Sequence, residues 1–213
     1  MSFISQYIPK DLELSIRANA GIPKEKPSAS ALDAAESILK TYHYRNENGL
    51  YEALVNFCAL FLEGKAKKGL LIRGISGIGK SFGVSVLARH FGWPLANAKI
   101  HLEEAFMAGD KTFEALVKAD DYFGKPVPLI IDDLGVEACP LNRFGTLYNI
   151  MADALDARYL IFCRTGTPTI VTTNLKDSEL EKRYGIRVDS RFNEMFEFVN
   201  IASKIDLRKQ RKG

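Results

Sequence analysis

The eight residues from Gly74 to Ser81 constrain the fold of this chain more than any other part of its sequence. They read GISGIGKS and match the pattern G-x-x-x-x-G-K-[ST]. An apolar run that starts at Gly69 leads into them, and apolar residues at helical spacing follow, namely Val84, Leu87, Ala88 and Phe91. The sequence therefore predicts a strand, a glycine-rich loop and a helix in direct succession, which is the context in which this pattern binds phosphate.

The residue types of this loop suit a triphosphate and its metal ion. Its glycines let backbone N–H groups turn inward around a phosphate, and the helix that follows adds a favourable dipole. Lys80 is expected to reach the β- and γ-phosphates, and Ser81 to ligate Mg²⁺. The alternative is a glycine-rich turn that binds nothing. The predicted nucleotide-binding residues are Gly74, Ile75, Ser76, Gly77, Ile78, Gly79, Lys80, Ser81 and Phe82.

Two adjacent carboxylates follow a second apolar run. The run extends from Val127 to Ile131, and Asp132 and Asp133 come directly after it, as in a Walker B motif. Ligands of open α/β sheets bind at the carboxyl ends of the strands, so both acids are predicted to face the phosphates. Asp132 is expected to hold magnesium, directly or through water, and Asp133 to orient or deprotonate the attacking water. For the pair taken alone, capping of the next loop is the alternative.

Further polar residues are candidates for the same site. Asn174 ends the β-branched run that starts at Thr169, and its amide can bond both a γ-phosphate and a water molecule. The alternative for Asn174 is an ordinary turn asparagine. Arg187 and Arg191 lie one helical turn apart, so both can project from one face of a helix, with a salt-bridged surface as the alternative. Asn174 is the candidate γ-phosphate sensor.

The order of the remaining elements predicts the fold class. Short apolar runs recur along the chain, at 69–74, 127–131, 169–173 and 196–201. Helical patterns alternate with them, and one includes Phe144, Leu147, Tyr148, Met151 and Leu155. Two helices are expected before residue 69, the first opened by a capping box of Ser30 and Asp33. This alternation is typical of an α/β fold in which helices cover a mostly parallel sheet.

Composition excludes several classes of protein. No apolar run reaches the roughly 18 residues of a membrane helix, and the N-terminus lacks the order of a secretory signal, so a cytoplasmic protein without membrane contact is expected. The three cysteines and three histidines are too dispersed for a zinc site. The net charge of +3 permits binding to nucleic acid but does not by itself indicate it.

Taken in order, several segments of the chain resemble the DnaC-type helicase loaders and the IstB-like transposition ATPases, which are AAA+ proteins. The segments are GISGIGKS, VPLIIDDLGVE, PTIVTTNL, YGIRVDSRFNEM and KIDLR, and the resemblance covers about residues 69–208. It implies a P-loop NTPase fold of the AAA+/ASCE type, with a mostly parallel five-stranded sheet flanked by helices. It also implies ATP as the nucleotide, self-assembly and work on DNA. Ser190-Arg191 matches the arginine-finger motif, so the resemblance assigns Arg191 to the γ-phosphate bound by a neighbouring subunit.

The predicted catalytic residues are thus Asp133, Asn174 and Arg191, with Ser81 and Asp132 as metal ligands and ATP with Mg²⁺ as cofactors. The predicted domains are an N-terminal extension and linker over 1–48, which is a candidate partner-binding segment, and an AAA+ core with a short basic tail over 49–213. Only 39 residues follow Asn174, which leaves no room for a full helical lid. Arg208 is a weak candidate for a second sensor.

The resemblance implies a DNA-replication ATPase that oligomerises with ATP, binds single-stranded DNA and delivers a replicative helicase. A transposition helper of a mobile element is the alternative, which a preference for duplex DNA would favour. A metabolic P-loop kinase is a third hypothesis, which phosphoryl transfer to a small molecule would establish. Two basic clusters are candidate DNA contacts, and they consist of Lys65, Lys67 and Lys68, and of Lys204, Arg208, Lys209, Arg211 and Lys212.

Overall fold

A parallel sheet forms the centre of the structure, a computed structural model that describes residues 26–44 and 49–201. The strands are β1 (Gly69–Gly74), β2 (Leu95–Asn97), β3 (Leu129–Leu134), β4 (Leu141–Arg143), β5 (Thr146–Tyr148), β6 (Thr169–Thr173) and β7 (Phe196–Ile201). Five of them pair in the order β2-β3-β6-β1-β7, and every pair in that sheet is parallel. Their carboxyl ends therefore lie along one edge, called the carboxyl edge below, and their amino ends along the opposite edge.

Helices cover both faces of this sheet. They are α1 (Ala29–Thr41), α2 (Leu50–Leu62), α3 (Lys80–Phe91), α4 (Glu104–Ala108), α5 (Asp110–Lys118), α6 (Ile150–Thr165), α7 (Asp177–Tyr184) and α8 (Ile186–Met195), and a π-helical turn, Ala98–Glu103, precedes α4. Alternate residues of a strand point to opposite faces. Leu70 and Ile72 accordingly pack with residues of α1, α2 and α3, whereas Leu71 packs with residues of α5, α6 and α8. The two cores therefore lie on opposite faces of the sheet.

The structure confirms the predicted α/β class and the four strands assigned from the sequence. The fifth strand is β2, which sequence reasoning did not assign because three residues are too few to show a period. β2 pairs with β3 and forms one margin of the sheet.

The prediction of a helix that starts at Phe144 is wrong for the first part of that helix. β4 and β5 form a separate antiparallel hairpin there, and Phe144 and Gly145 take the left-handed backbone conformation at its turn. The helix begins only at Ile150, where the Asn149 side chain accepts a hydrogen bond from the backbone N–H of Ala152. The apolar spacing from 144 to 155 therefore joins residues of two different elements.

The cap of α1 also differs from the prediction. Ser28, rather than Ser30, is the N-cap, and its Oγ accepts a hydrogen bond from the backbone N–H of Ala31 at 3.2 Å. Buried residues of α1 pack in the same core as α2 and β1, namely Ala31, Ala35 and Leu39. Most of the predicted extension, residues 1–25, and the basic tail with Lys204 and Arg208 lie outside the described residues. Over 26–44 and 49–201, no helix has both the length and the apolar character needed to cross a membrane.

Candidate functional site

The predicted phosphate-binding loop lies between β1 and α3 at the carboxyl edge. Gly77 and Gly79 have φ angles of 86° and 92°, a left-handed conformation that glycine adopts without steric cost. A Cβ at Gly74 would lie 2.4 Å from Cδ1 of Ile78 and 3.0 Å from the backbone oxygen of Ile201, so Ile78 would have to shift to admit a side chain. Ile78 is buried and anchors the loop in the core, whereas Ile75 is exposed. Of the two isoleucines of the loop, only Ile78 therefore belongs to the core.

Lys80 is held inside this loop. It opens α3, it is almost completely buried, and its Nζ donates hydrogen bonds to the carbonyl oxygens of Gly74 at 2.6 Å and Ile75 at 2.9 Å. A third bond, of 2.7 Å, joins Nζ to Oδ1 of Asn174 just after β6. The structure therefore brings Lys80 and Asn174, which are 94 residues apart in the chain, into direct contact.

The two acids lie at the carboxyl end of β3, and one hydroxyl contacts both. Thr172 Oγ1 donates to Oδ1 of Asp132 at 2.5 Å and accepts from the backbone N–H of Asp133 at 2.9 Å. Asp133 has a φ of 59°, and the pairing of β3 with β6 shifts register there. Such a conformation is costly for a residue other than glycine and persists where neighbouring contacts enforce it, commonly at functional sites. Thr172 is a site residue that sequence reasoning missed, since it read only as a β-branched strand residue.

Asn97 is the second residue that the sequence did not reveal. Its Nδ2 lies 3.4 Å from Oδ2 of Asp133, across the β2–β3 pair. Its Oδ1 accepts the backbone N–H groups of Lys99 and Ile100, both at 3.1 Å, as the N-cap of the π-helical turn. The side-chain amide is thereby oriented, with its N–H₂ end toward the Asp133 carboxylate. A single asparagine after a three-residue strand carries no sequence signal that could have found it.

The residues at the carboxyl edge fit a nucleoside triphosphate and a magnesium ion. The Lys80 ammonium and the amino end of α3 provide positive charge for phosphates. Ser81 and the buried Asp132 provide a hydroxyl and a carboxylate, the oxygen donors that Mg²⁺ takes while it keeps water and phosphate ligands. Phe82 is exposed, and its ring centroid lies 5.6 Å from that of Tyr44, so an aromatic surface adjoins the loop.

Arg191 is not part of this cluster. It lies on α8, is buried, and forms an ion pair with Asp156 on α6. Its guanidinium also lies 4.6 Å from the ring centroid of Tyr159, and burial lowers the pKa of Arg191 from its ordinary value. Arg187, one turn earlier on α8, is exposed. Within a single subunit, the alternative prediction for Arg191, a salt bridge, therefore applies.

Glu137 lies close to the acids in sequence but is committed to structural contacts. It is buried and accepts hydrogen bonds from the backbone N–H of Gly135 at 2.8 Å, from Arg183 Nε at 3.1 Å and from the Tyr184 hydroxyl at 2.6 Å. Burial and the Glu137 carboxylate raise the pKa of Tyr184, so its hydroxyl remains a donor. These bonds tie the loop after β3 to α7, so Glu137 is not available to replace Asp133.

Comparison with known proteins adds to this geometry. No protein-family model matches the chain, and no curated protein matches its sequence. Among solved structures, a DNA replication initiation factor shares the fold with a TM-score of 0.51 and 14% identity, over 79% of this chain and 50% of that one. The chain thus has the same α/β fold, with the phosphate-binding loop between β1 and α3. The resemblance stated from the motifs is confirmed at this level.

Two other solved structures align with much of this chain at lower TM-scores. A crystal structure of DnaI aligns over 92% of this chain and 95% of its own, with a TM-score of 0.48 and 18% identity. The DnaA protein of Aquifex aeolicus, solved with AMPPCP bound, aligns over 79% of this chain and 52% of its own, with a TM-score of 0.49 and 17% identity. This chain thus spans about half the length of the DnaA and initiation-factor chains. At 14% identity, the likeness to the initiation factor is one of fold alone.

Proposed function

We propose that this chain is a cytoplasmic AAA+ ATPase of DNA replication, a DnaC-like helicase loader that oligomerises with ATP and binds single-stranded DNA. One observation carries the ATPase part: Lys80 at the phosphate-binding loop bonds Asn174, beside the strand that bears Asp132 and Asp133. Phosphoryl transfer to water requires a cation for the phosphates, a metal ligand, and a carboxylate that orients or deprotonates the water.

The residues divide the chemistry between them. Ser81 and Asp132 would hold Mg²⁺, and the bound ion would neutralise charge on the phosphate oxygens. Lys80 would exchange its bonds to the loop carbonyls for bonds to phosphate, without moving out of the loop. Asn174, already in contact with Lys80 through Oδ1, would report on the γ-phosphate through its Nδ2 amide group, which can donate to a phosphate oxygen.

Asp133 is the residue proposed to orient or deprotonate the attacking water. Its backbone is held by the Thr172 hydroxyl, and its carboxylate by the Asn97 amide. Because both contacts come from the protein itself, the carboxylate is oriented for catalysis with little rearrangement. Arg191 is proposed to act on the nucleotide of a neighbouring subunit, and its bond to Asp156 must then break on assembly.

The replication role is supported by the order of the motifs and by the likeness to a DNA replication initiation factor. The first basic cluster, Lys65, Lys67 and Lys68, directly precedes β1, at the opposite edge of the sheet from the nucleotide site. Lys65 lies 3.2 Å from Glu63, and Lys68 donates to the backbone oxygen of Asn193. Contacts with DNA from this cluster would have to replace these bonds.

ATP binding and turnover test the enzymatic part of the proposal. Lys80→Ala should abolish ATP binding and keep the fold, whereas Asp133→Asn should retain binding and slow hydrolysis, because an amide cannot act as a base. Lys111→Ala is a control, since Lys111 is exposed and outside the site. Unchanged ATP affinity in Lys80→Ala would refute the assignment of the loop.

The loader role needs a test with partners. The chain, used as bait in an extract of its native host, should retain a replicative helicase in the presence of ATP. Fluorescence anisotropy should show tighter binding of single-stranded DNA with a non-hydrolysable ATP analogue than with ADP. Each phosphate contact should steepen the logarithmic salt dependence by about 0.7. Recovery of a transposase and a preference for duplex DNA would instead support the transposition helper.

A further inference from the structure

A second surface lies at the amino edge of the sheet, opposite the nucleotide site. It contains a cavity of about 450 Å³ whose apolar wall includes Phe61, Trp93, Pro126, Pro128 and Pro168. Several of these residues directly precede strands of the parallel sheet. β3 alone spans six residues, so about 20 Å separate this surface from the carboxyl edge. We call it the basal face, defined by the cavity and by the neighbouring residues Tyr122 and Phe123.

Tyr122 and Phe123 project from a loop beside this cavity. Their exposed fractions are 96% and 89%, and their rings contact each other edge to face at 5.4 Å. The loop is held in shape, since Asp121 Oδ1 accepts the backbone N–H groups of Phe123 and Lys125, both at 2.9 Å. The backbone N–H of Asp121 in turn donates to the Lys125 oxygen at 2.8 Å. The two rings therefore form a preformed apolar projection, called the knob below.

The cavity beside the knob is also built from ordered parts. Trp93 lies against Phe61 at 4.6 Å and is stacked on Phe91 at 4.5 Å, measured between ring centroids. A cavity of roughly 150 Å³ can hold a benzene molecule. The cavity of about 450 Å³ is therefore large enough for the two aromatic rings of one knob. Two large exposed aromatic residues contribute nothing to the core of their own subunit, and exposed apolar surface beside a pocket marks an interaction site.

The charges around the cavity suit a second copy of this chain. Gly64 and Gly166 belong to its lining and directly follow the last turns of α2 and α6, whose carboxyl ends carry partial negative charge. Asp121 and Lys125 also line the cavity and add one carboxylate and one ammonium group. These two charges flank the knob in sequence. The rim is therefore self-complementary, since Lys125 of one copy can pair with Asp121 and the helix ends of another.

We infer that the basal face joins two copies of this chain, each inserting Tyr122 and Phe123 into the cavity of the other. Knob and cavity lie side by side on one face, so a two-fold axis satisfies both insertions at once. The same axis brings Lys125 of each copy to the helix ends and Asp121 of its partner. This dimer is independent of the nucleotide and goes beyond the proposed ATPase.

The area is sufficient for a stable dimer. An aromatic side chain buries about 150–250 Å², so the four rings of two knobs contribute roughly 600–1,000 Å², and the walls they cover add a similar area. Specific interfaces bury about 1,200–2,000 Å² in total. The reciprocal insertion therefore reaches the size of a specific interface from these residues alone.

Sedimentation velocity of the full chain without nucleotide, over a concentration series from the low micromolar range, tests the inference. We expect a monomer–dimer equilibrium, which Tyr122→Ser combined with Phe123→Ser weakens at least about tenfold. Thr165→Tyr, which adds a ring to the lining of the cavity, should weaken it independently. Phe144→Ser is the matched control, because Phe144 is 93% exposed but lies in the hairpin after β3.

Trp93 provides a second readout, since it is the one tryptophan of the chain and forms the cavity wall. Its emission should change with concentration in the wild type and in Phe144→Ser, and stay constant in the knob variant. A wild type that stays monomeric, or equal weakening by Phe144→Ser, would overturn the inference. So would Trp93 emission that responds to an added oligonucleotide and not to protein concentration. A Lys80→Ala background makes each result independent of ATP binding.

Discussion

Arg158 is completely buried on α6, and its guanidinium ties three separate segments together at the amino edge of the sheet. It donates hydrogen bonds to the hydroxyl of Thr169 at 2.9 Å and to four backbone oxygens, those of Val117, Lys118, Val127 and Pro168, at 2.9–3.3 Å. Burial lowers the pKa of Arg158 to about 10, so it remains charged at neutral pH. We predict that Arg158→Met markedly destabilises the fold.

The magnitude follows from the groups that Arg158→Met leaves behind. A buried acceptor without a partner costs about 1–3 kcal/mol, so the two carbonyl oxygens whose bonds are buried, those of Val117 and Pro168, together lose about 2–6 kcal/mol. Methionine needs no hydration, so part of this loss is offset because the guanidinium is no longer buried. The free energy of unfolding should therefore fall by about 1–3 kcal/mol, out of the roughly 5–15 kcal/mol of a typical domain.

Urea unfolding followed by circular dichroism at pH 7 measures this change. Arg164→Met is the matched control, because Arg164 lies on the same helix but is exposed, and it should stay within about 0.5 kcal/mol of the wild type. Arg158→Lys should fall between the two, since an ammonium has three donors instead of five. A loss of less than about 1 kcal/mol in Arg158→Met would refute the argument that these bonds organise the amino edge.

Three further predictions concern the site and the core. Asn97→Ala removes the 3.4 Å hydrogen bond to Asp133, worth about 0.5–1.5 kcal/mol. The value of kcat should then fall about 2- to 12-fold at unchanged ATP affinity, and a changed affinity with normal turnover would contradict this. Arg191→Ala should bind ATP but hydrolyse it about 10³-fold or more slowly, and turnover should return when it is mixed with Asp133→Asn protein. Asp156→Asn, which only loosens the internal ion pair, should keep its turnover. No rescue in confirmed assemblies would exclude action in trans. Burial raises the pKa of Cys58 to about 12, so at pH 8 iodoacetamide should label Cys58 only after the protein unfolds. Peptide mass spectrometry detects the label. Rapid labelling of the native protein would contradict the burial.

Features whose signal is local could be predicted from the sequence. The loop from Gly74 to Ser81 is contiguous, and its glycines and Lys80 have residue-specific roles, so its place between β1 and α3 was predicted correctly. The same holds for β3 and β6, whose runs of β-branched and apolar residues show a strand without reference to their partners. The carboxyl ends of parallel strands share one edge, which is why Asn174 could be expected near Lys80 before their contact was known.

Contacts between residues far apart in the chain were decided only by the tertiary structure. Asn97 and Thr172 reach Asp133 from two different strands, and neither has a sequence signature, because a hydrogen bond across a sheet depends on register. Arg191 illustrates the same limit. Helical spacing placed it on a face with Arg187, but only the packing of α8 on α6 buried one arginine and exposed the other, since side-chain burial depends on what covers a helix and not on its period.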